Sequence, residues 1–265
     1  MGFVKRPEEI AQIQHALSHP RFVNGEMLSV DFLTDEAVVQ HVLPPPLQPA
    51  DTPRITAMVG RWQSNCVGDF FGGAIYVAAR HDGIDGDYVL AMYMDNDIPT
   101  IYGRDLFGEP KKLATSALHR GGDQMSGWVQ RGGVRLIELN GSLTEDLGPF
   151  EAEGVNFNFK ARPAADGVGL EEDAILTRAT FQVRATAARQ GAGSVVLRGT
   201  VHDPLDELPV RSILRGAFLE CDLIASCEAV ARTPADVFLP YHHGRHDDWS
   251  ALDTESVAVA VAAPA

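Results

Sequence analysis

The chain has 265 residues and a mass of 28.7 kDa, long enough to bury a substantial core. Its 36 acidic and 22 basic side chains give a net charge of −14, which argues against nucleic acid and anionic membranes as partners. Hydrophobic content of 45% and charged content of 22% fit a soluble globular protein, and no run reaches the length of a membrane span.

In chain order, Ile10, Ile13 and Leu17 recur at helical spacing within Pro7 to Ser18 and predict a first helix. Thr34 is placed to cap a second, with Asp35 and Glu36 in its first turn, Val38, Val39 and Leu43 facing inward, and Pro44-Pro45-Pro46 stopping it. Strands are predicted over Met27–Leu33, Arg54–Trp62, Gly72–Ala79, Tyr88–Met94, Val134–Leu139, Ser194–Arg198 and Ala217–Ile224. Val155, Phe157 and Phe159 alternate with Asn156, Asn158 and Lys160, and Ala179, Phe181, Val183 and Ala185 alternate with polar residues, as half-buried antiparallel strands do. Asp82-Gly83, Asp85-Gly86 and Asn140-Gly141 read as turns. Many strands, few helices and no βαβ rhythm predict an α+β, mainly β chain: an antiparallel, closed or nearly closed sheet with helices outside. No repeat or linker divides it, so residues 1–265 are expected to form one domain, with its core at about 25–240.

Cys66, Cys221 and Cys227 lack metal-ligand spacing and are expected to be reduced thiols. The N-terminus has no apolar run of signal-peptide length, so the expected compartment is the cytoplasm. Ser256–Ala265 is read as a loosely packed tail.

The most informative segment is Gly108-Glu109-Pro110-Lys111-Lys112. An amine attacks a carbonyl only when unprotonated, and a free lysine, with a pKa of about 10.4, is almost never so at neutral pH. Burial lowers that value, and so does a second cation nearby, which an adjacent lysine can supply. Asp97 can cap a short helix from about Ile98 to Phe107, and Gly108 suits its C-terminal end. Pro110 then holds Glu109 extended, so the lysines follow the helix on a stiff segment.

Pro110-Lys111-Lys112 resembles the signature of the acetoacetate decarboxylase family. The likeness extends to Thr34-Asp35 with Leu43-Pro44-Pro45-Pro46-Leu47, to Gly86-Asp87-Tyr88 through Met92-Tyr93-Met94-Asp95-Asn96, and to Pro204-Leu205-Asp206-Glu207-Leu208-Pro209-Val210, covering roughly residues 25–240. It implies a cone-shaped antiparallel β-barrel whose cavity holds the lysine, assembled into a homo-oligomer, working without cofactor or metal on a small oxo acid. Lys111 would be the Schiff-base nucleophile and Lys112 its electrostatic neighbour or a structural side chain. Thr56 stands where the family carries one cavity glutamate, Phe70 and Phe71 where it carries another, with Asp69 the nearest acid, and Gly25 where it carries an arginine. These departures turn the expectation from acetoacetate decarboxylation toward aldolase or dehydratase chemistry on pyruvate or a related oxo acid, with decarboxylation and a non-catalytic binding module as alternatives.

Glu109, two residues from Lys111 on an extended segment, shares its face and is the nearest candidate for proton transfer. Tyr241 is a candidate to close the cavity and donate a hydrogen bond. Arg54 shares a strand face with Thr56 and is the candidate for a substrate carboxylate, with Thr56 and Phe71 lining the site. Arg61 falls on the opposite face, and Arg104 beside Asp105 reads as a structural ion pair. His242, His246 and Asp247 could ligate zinc, but residues 242–265 are better read as a polar C-terminal extension packed on the barrel or a neighbouring subunit.

Overall fold

The alternating runs form strands that close on themselves. The protein is described here as a computed structural model covering residues 2–253, so the tail expected at Ser256–Ala265 lies outside the described residues. In chain order the strands are β1 (Arg21–Leu33), β2 (Gln48–Pro49), β3 (Arg54–Ser64), β4 (Gly68–His81), β5 (Ile84–Met94) and β6 (Lys111–Leu113). They continue with β7 (Thr115–Gly121), β8 (Gln124–Arg131), β9 (Val134–Asp146), β10 (Phe150–Lys160), β11 (Ala174–Leu197) and β12 (Ser212–Thr233). The helices are α1 (Pro7–Ser18), α2 (Glu36–Val42), α3 (Asp97–Tyr102) and α4 (Ala235–Gly244).

The order β10-β5-β4-β3-β1-β12-β11, with β11 pairing back to β10, makes a closed seven-stranded barrel. Its pairs are antiparallel except β5 with β10. The short β6 continues along β5, also parallel, and β2 pairs with β4. Long β11 runs on to pair with β9, which carries β8 and β7 as a flap. The mainly β class and the outer helices agree with the sequence reading.

Period two gives β1, β3 and β4 two largely buried faces. Leu28, Val30 and Phe32 of β1, Ile55, Ala57 and Val59 of β3, and Ile75 and Val77 of β4 face outward into the larger core, beneath the flap and helices. The intervening Met27 and Ser29, Thr56 and Met58, and Tyr76 line a cavity inside the barrel. A bulge in β5, where Ile75 pairs with Ala91 but Tyr76 with Val89, keeps both Asp87 and Met92 on the inner face.

Several local expectations are corrected. Ala179–Ala185 and Ser194–Leu197 belong to one 24-residue strand, since the chain stays paired between them, and Arg198 follows its end. Asp85-Gly86 and Asn140-Gly141 lie inside β5 and β9, whereas Asp82-Gly83 is a true turn with φ of 50° and 74°. Asp35, not Thr34, holds the N-cap of α2, and Val39 is its buried residue. Helix α1 forms, but Ile10, Ile13 and Leu17 stay exposed on the described structure.

Helix α4 is fastened to the barrel by Phe238, fully buried and stacked on Phe159 with ring centroids 4.6 Å apart. Phe238→Ala should destabilise the fold by about 3–5 kcal/mol in urea denaturation, as large-to-small core changes do. A loss under about 1 kcal/mol would mean that α4 is not part of the cooperative unit.

Candidate active site

The segment that delivers Lys111 begins at Asn96, the N-cap of α3. Where one helix from Ile98 to Phe107 was expected, α3 gives way to a wider π-helical turn over Gly103–Phe107, a feature often found at functional sites. Gly108 ends it with φ of 78°, the left-handed conformation its position was read to require. Glu109 and Pro110 lead into β6, which pairs with β5 so that Met92 faces Lys111 and Tyr93 faces Lys112.

Lys111 enters the inner cavity, which has a volume of about 300 Å³. Its Nζ lies 2.8 Å from Glu109 Oε2, and both side chains are less than a tenth exposed. The approach is close but oblique, leaving Oε2 without a well-aligned hydrogen-bond donor. Lys111 and Glu109, expected on one face, are thus brought together.

Below them is a polar floor. Thr56 donates to Asp31 Oδ1 at 2.7 Å and accepts from Arg54, whose guanidinium also pairs with Asp87 at 2.7 Å. Arg215 holds the other oxygen of Asp31 at 2.9 Å. Thr56 lines the cavity as expected, but Arg54 is engaged by Thr56 and Asp87 instead of being free for a ligand carboxylate. Burial raises the pKa of Asp87 above the ordinary carboxylate value despite Arg54. Burial, reinforced by Glu109 and Asp87, pushes the Tyr76 phenol well above its usual value, so Tyr76 stays protonated. Tyr76, Asp87 and Asn156 were not singled out from the sequence. The alternation around Val155 and the pairing of Tyr76 with Thr56 were the available signals.

Three expected site residues face elsewhere. Of the two roles expected for Lys112, electrostatic neighbour of the Lys111 amine or structural side chain, its contacts agree with the second, because successive residues of a strand point to opposite faces. Its Nζ lies outside the barrel, 2.9 Å from Asp203 and 3.1 Å from Asp247. Phe71 also faces away, beneath the Arg61 guanidinium, which pairs with Asp69; Phe70 lines the cavity instead. Tyr241 packs beside Phe238 and lines an outer groove of about 970 Å³.

Of the expected C-terminal extension, the described residues 242–253 include Arg245 and Asp247, which pack on this outer face. Arg245, buried, donates to the carbonyls of Gly108 and Phe159, and Asp247 bridges Lys112 and Arg131. Among the described residues no group of three His, Cys, Asp or Glu side chains is arranged to hold a metal ion. His242 and His246 meet edge to face with centroids 4.6 Å apart, and burial, then Arg245, lowers their pKa values to about 4 and about 2. In the unfolded chain these imidazoles protonate near pH 6.5, whereas in the folded chain they resist it. The unfolded state therefore binds more protons as pH falls, and this contribution to stability, full above about 6.5, is lost progressively toward pH 4. Denaturation midpoints measured from pH 7.5 to 4.5 should show that fall, and it should be shallower in His242→Phe.

Gly103 sets how Lys111 lies. A Cβ at Gly103 would collide with Glu109 Oε2 and fall 2.5 Å from Lys111 Nζ. Gly103→Ala should keep the fold but slow modification of Lys111 by an amine-selective reagent roughly ten- to a hundredfold. Peptide mapping that found an unchanged rate would show that the close approach does not position the amine.

Comparison with known proteins agrees with this architecture. The family model described as acetoacetate decarboxylase matches residues 6–233. An acetoacetate decarboxylase of Burkholderia cenocepacia (strain HI2424) is 30% identical over 209 residues, 77% of this chain and 84% of that protein. The crystal structure of acetoacetate decarboxylase from Legionella pneumophila superposes with a TM-score of 0.74 at 24% identity, covering 80% of this chain and 87% of that one. The enduracididine biosynthesis enzyme MppR, in complex with the condensation product of pyruvate and imidazole 4-carboxaldehyde, superposes with a TM-score of 0.71 at 15% identity, covering 80% and 88%. The match to the family model over most of its length shows that this chain belongs to the acetoacetate decarboxylase family.

Proposed function

We propose that the protein is a Schiff-base lyase acting on a small oxo acid, with Lys111 as nucleophile. The observation that carries this reading is a buried amine entering a cavity with a carboxylate 2.8 Å away. Glu109 takes the proton that the Lys111 ammonium must lose, and the freed amine adds to the substrate carbonyl. Glu109 then returns the proton to the carbinolamine hydroxyl, which leaves as water as the C=N bond forms. Glu109, a carboxylate again, takes a proton from the adjacent carbon, and the electrons of that C–H bond move into the protonated imine to give an enamine. Tyr76, held protonated, is the further donor that lines the cavity, and Asp87 lines it as the ion-pair partner of Arg54.

An enamine can add to an aldehyde, lose a β-hydroxyl group or be protonated, and we favour this aldolase–dehydratase chemistry on pyruvate or a related oxo acid. Thr56 and an apolar Phe70 occupy the positions where the family resemblance implies glutamates. MppR, seen with a condensation product of pyruvate, supports the same direction. The second reading is decarboxylation of acetoacetate, favoured by the activity named for relatives at 30% identity. In either case residues 1–265 act as one domain, without cofactor, in a cytoplasmic homo-oligomer.

The test is exchange of the pyruvate methyl protons for deuterium in D₂O, followed by NMR, beside an assay of carbon dioxide release from acetoacetate. Exchange is expected with the native chain, to vanish in Lys111→Met, and to slow by roughly 10²-fold in Glu109→Gln. Carbon dioxide release without exchange would replace the favoured chemistry with decarboxylation. Neither activity, or full exchange in Lys111→Met, would sink the lyase reading and leave a binding module.

A further inference from the structure

The inner cavity is polar at one end only. Register places Lys111 level with Met92, Ala74 and Met58. Two residues below on β3 lie Thr56 and its partner Tyr76, the polar floor. Two residues above, Gly60 pairs with Gly72 and with Met27, and Gly72 with Met94. Two residues higher again Trp62 pairs with Phe70, and beyond them Phe22, level with Ser64, pairs with Leu223. Every cavity-lining side chain from these upper levels is apolar.

The apolar wall is ordered. Trp62 and Phe70 stack with centroids 5.6 Å apart, and Phe22 meets Phe70 edge-on at 6.2 Å. The indole folds back over the barrel interior. A Cβ at Gly60 would fall 2.7 Å from its Cη2, and one at Gly25 2.9 Å from its Cδ1. These glycines leave the space that the indole occupies. The aromatic surface therefore begins two residues, about 7 Å, from the level of Lys111. A volume of about 300 Å³ equals the bulk share of about ten waters, more than a three-carbon oxo acid fills.

We infer that the substrate is an oxo acid carrying an aryl or branched-alkyl arm, its carbonyl at Lys111 and its arm packed against Trp62, Phe70 and Met58. Trp62 is then the main specificity-determining side chain. The inference rests on the imine reading for the carbonyl end, while the apolar arm rests on the wall itself. A short oxo acid would leave that wall facing water, whereas an apolar arm removes both surfaces from it.

Two measurements separate these parts. Calorimetric titration with propanoate and with 3-phenylpropanoate, neither of which has a carbonyl, reads the arm alone. The phenyl compound should bind at least tenfold more tightly, and the ratio should collapse in Trp62→Ala. Met58→Gln serves the same purpose if circular dichroism shows that Trp62→Ala is unfolded. A ratio of one or less, or a ratio that survives in both folded variants, overturns the inference. Separately, pyruvate and phenylpyruvate are incubated with sodium borohydride and the adduct is mapped by peptide mass spectrometry. Faster trapping of phenylpyruvate on Lys111 supports both parts. No adduct from either compound overturns the imine reading only, and the calorimetric ratio still decides the arm.

Discussion

The site depends on a three-residue parallel seam in which Lys111 lies beside Met92 and Lys112 beside Tyr93. Side chains at one level of a seam share a face, so the two lysines must point in opposite directions. The outer member is strongly held. Lys112, Arg131, Asp203 and Asp247 form a charge network, joined by the Tyr93 hydroxyl at 3.0 Å from Asp203. Asp203 is almost completely buried, and stripping a partner from a buried charge is costly. Turning β6 over would therefore remove Lys111 from the cavity and leave these two carboxylates with Arg131 as their shared cation. The second lysine secures the orientation of the first.

The same principle operates around the barrel. With the larger core on its outer face, the barrel does not need its interior for stability in the way a filled β-barrel does. The interior can then hold a cavity whose character changes one side chain at a time. Here Thr56 and Phe70 stand on the inner face, and an indole lies over Gly25 and Gly60. Each alters what the cavity receives while the outward residues of the same strands keep their packing.

Burial shapes the chemistry as well as the fold. Charge–charge and hydrogen-bond interactions strengthen where water is excluded, and unpaired charges become expensive. The Lys111–Glu109 contact, with both side chains less than a tenth exposed, lies in such a place. On the outer face burial keeps His242 and His246 neutral near pH 7, which makes Arg245, Lys112 and Arg131 the cations of that surface.

Much of this was legible along the chain. Alternation located most strands, Gly108 and Pro110 marked the end of the turn and the start of the extended segment, and the spacing of Glu109 and Lys111 put them on one face. Phe70 and Phe71 show where legibility stopped, because a slip of one residue exchanges the faces of a strand. The flap strands β7 and β8 were missed because Thr115–Gly121 and Gln124–Arg131 carry little regular alternation. The partners of Lys112 lie 91 residues away at Asp203 and farther still at Asp247, with no local trace. Backbone preference and side-chain period are properties of neighbouring residues, so the sequence could establish most of the elements, the family likeness and the candidate lysine. Which face becomes cavity and which becomes core depends on where distant strands pair, and only the closed barrel decides that.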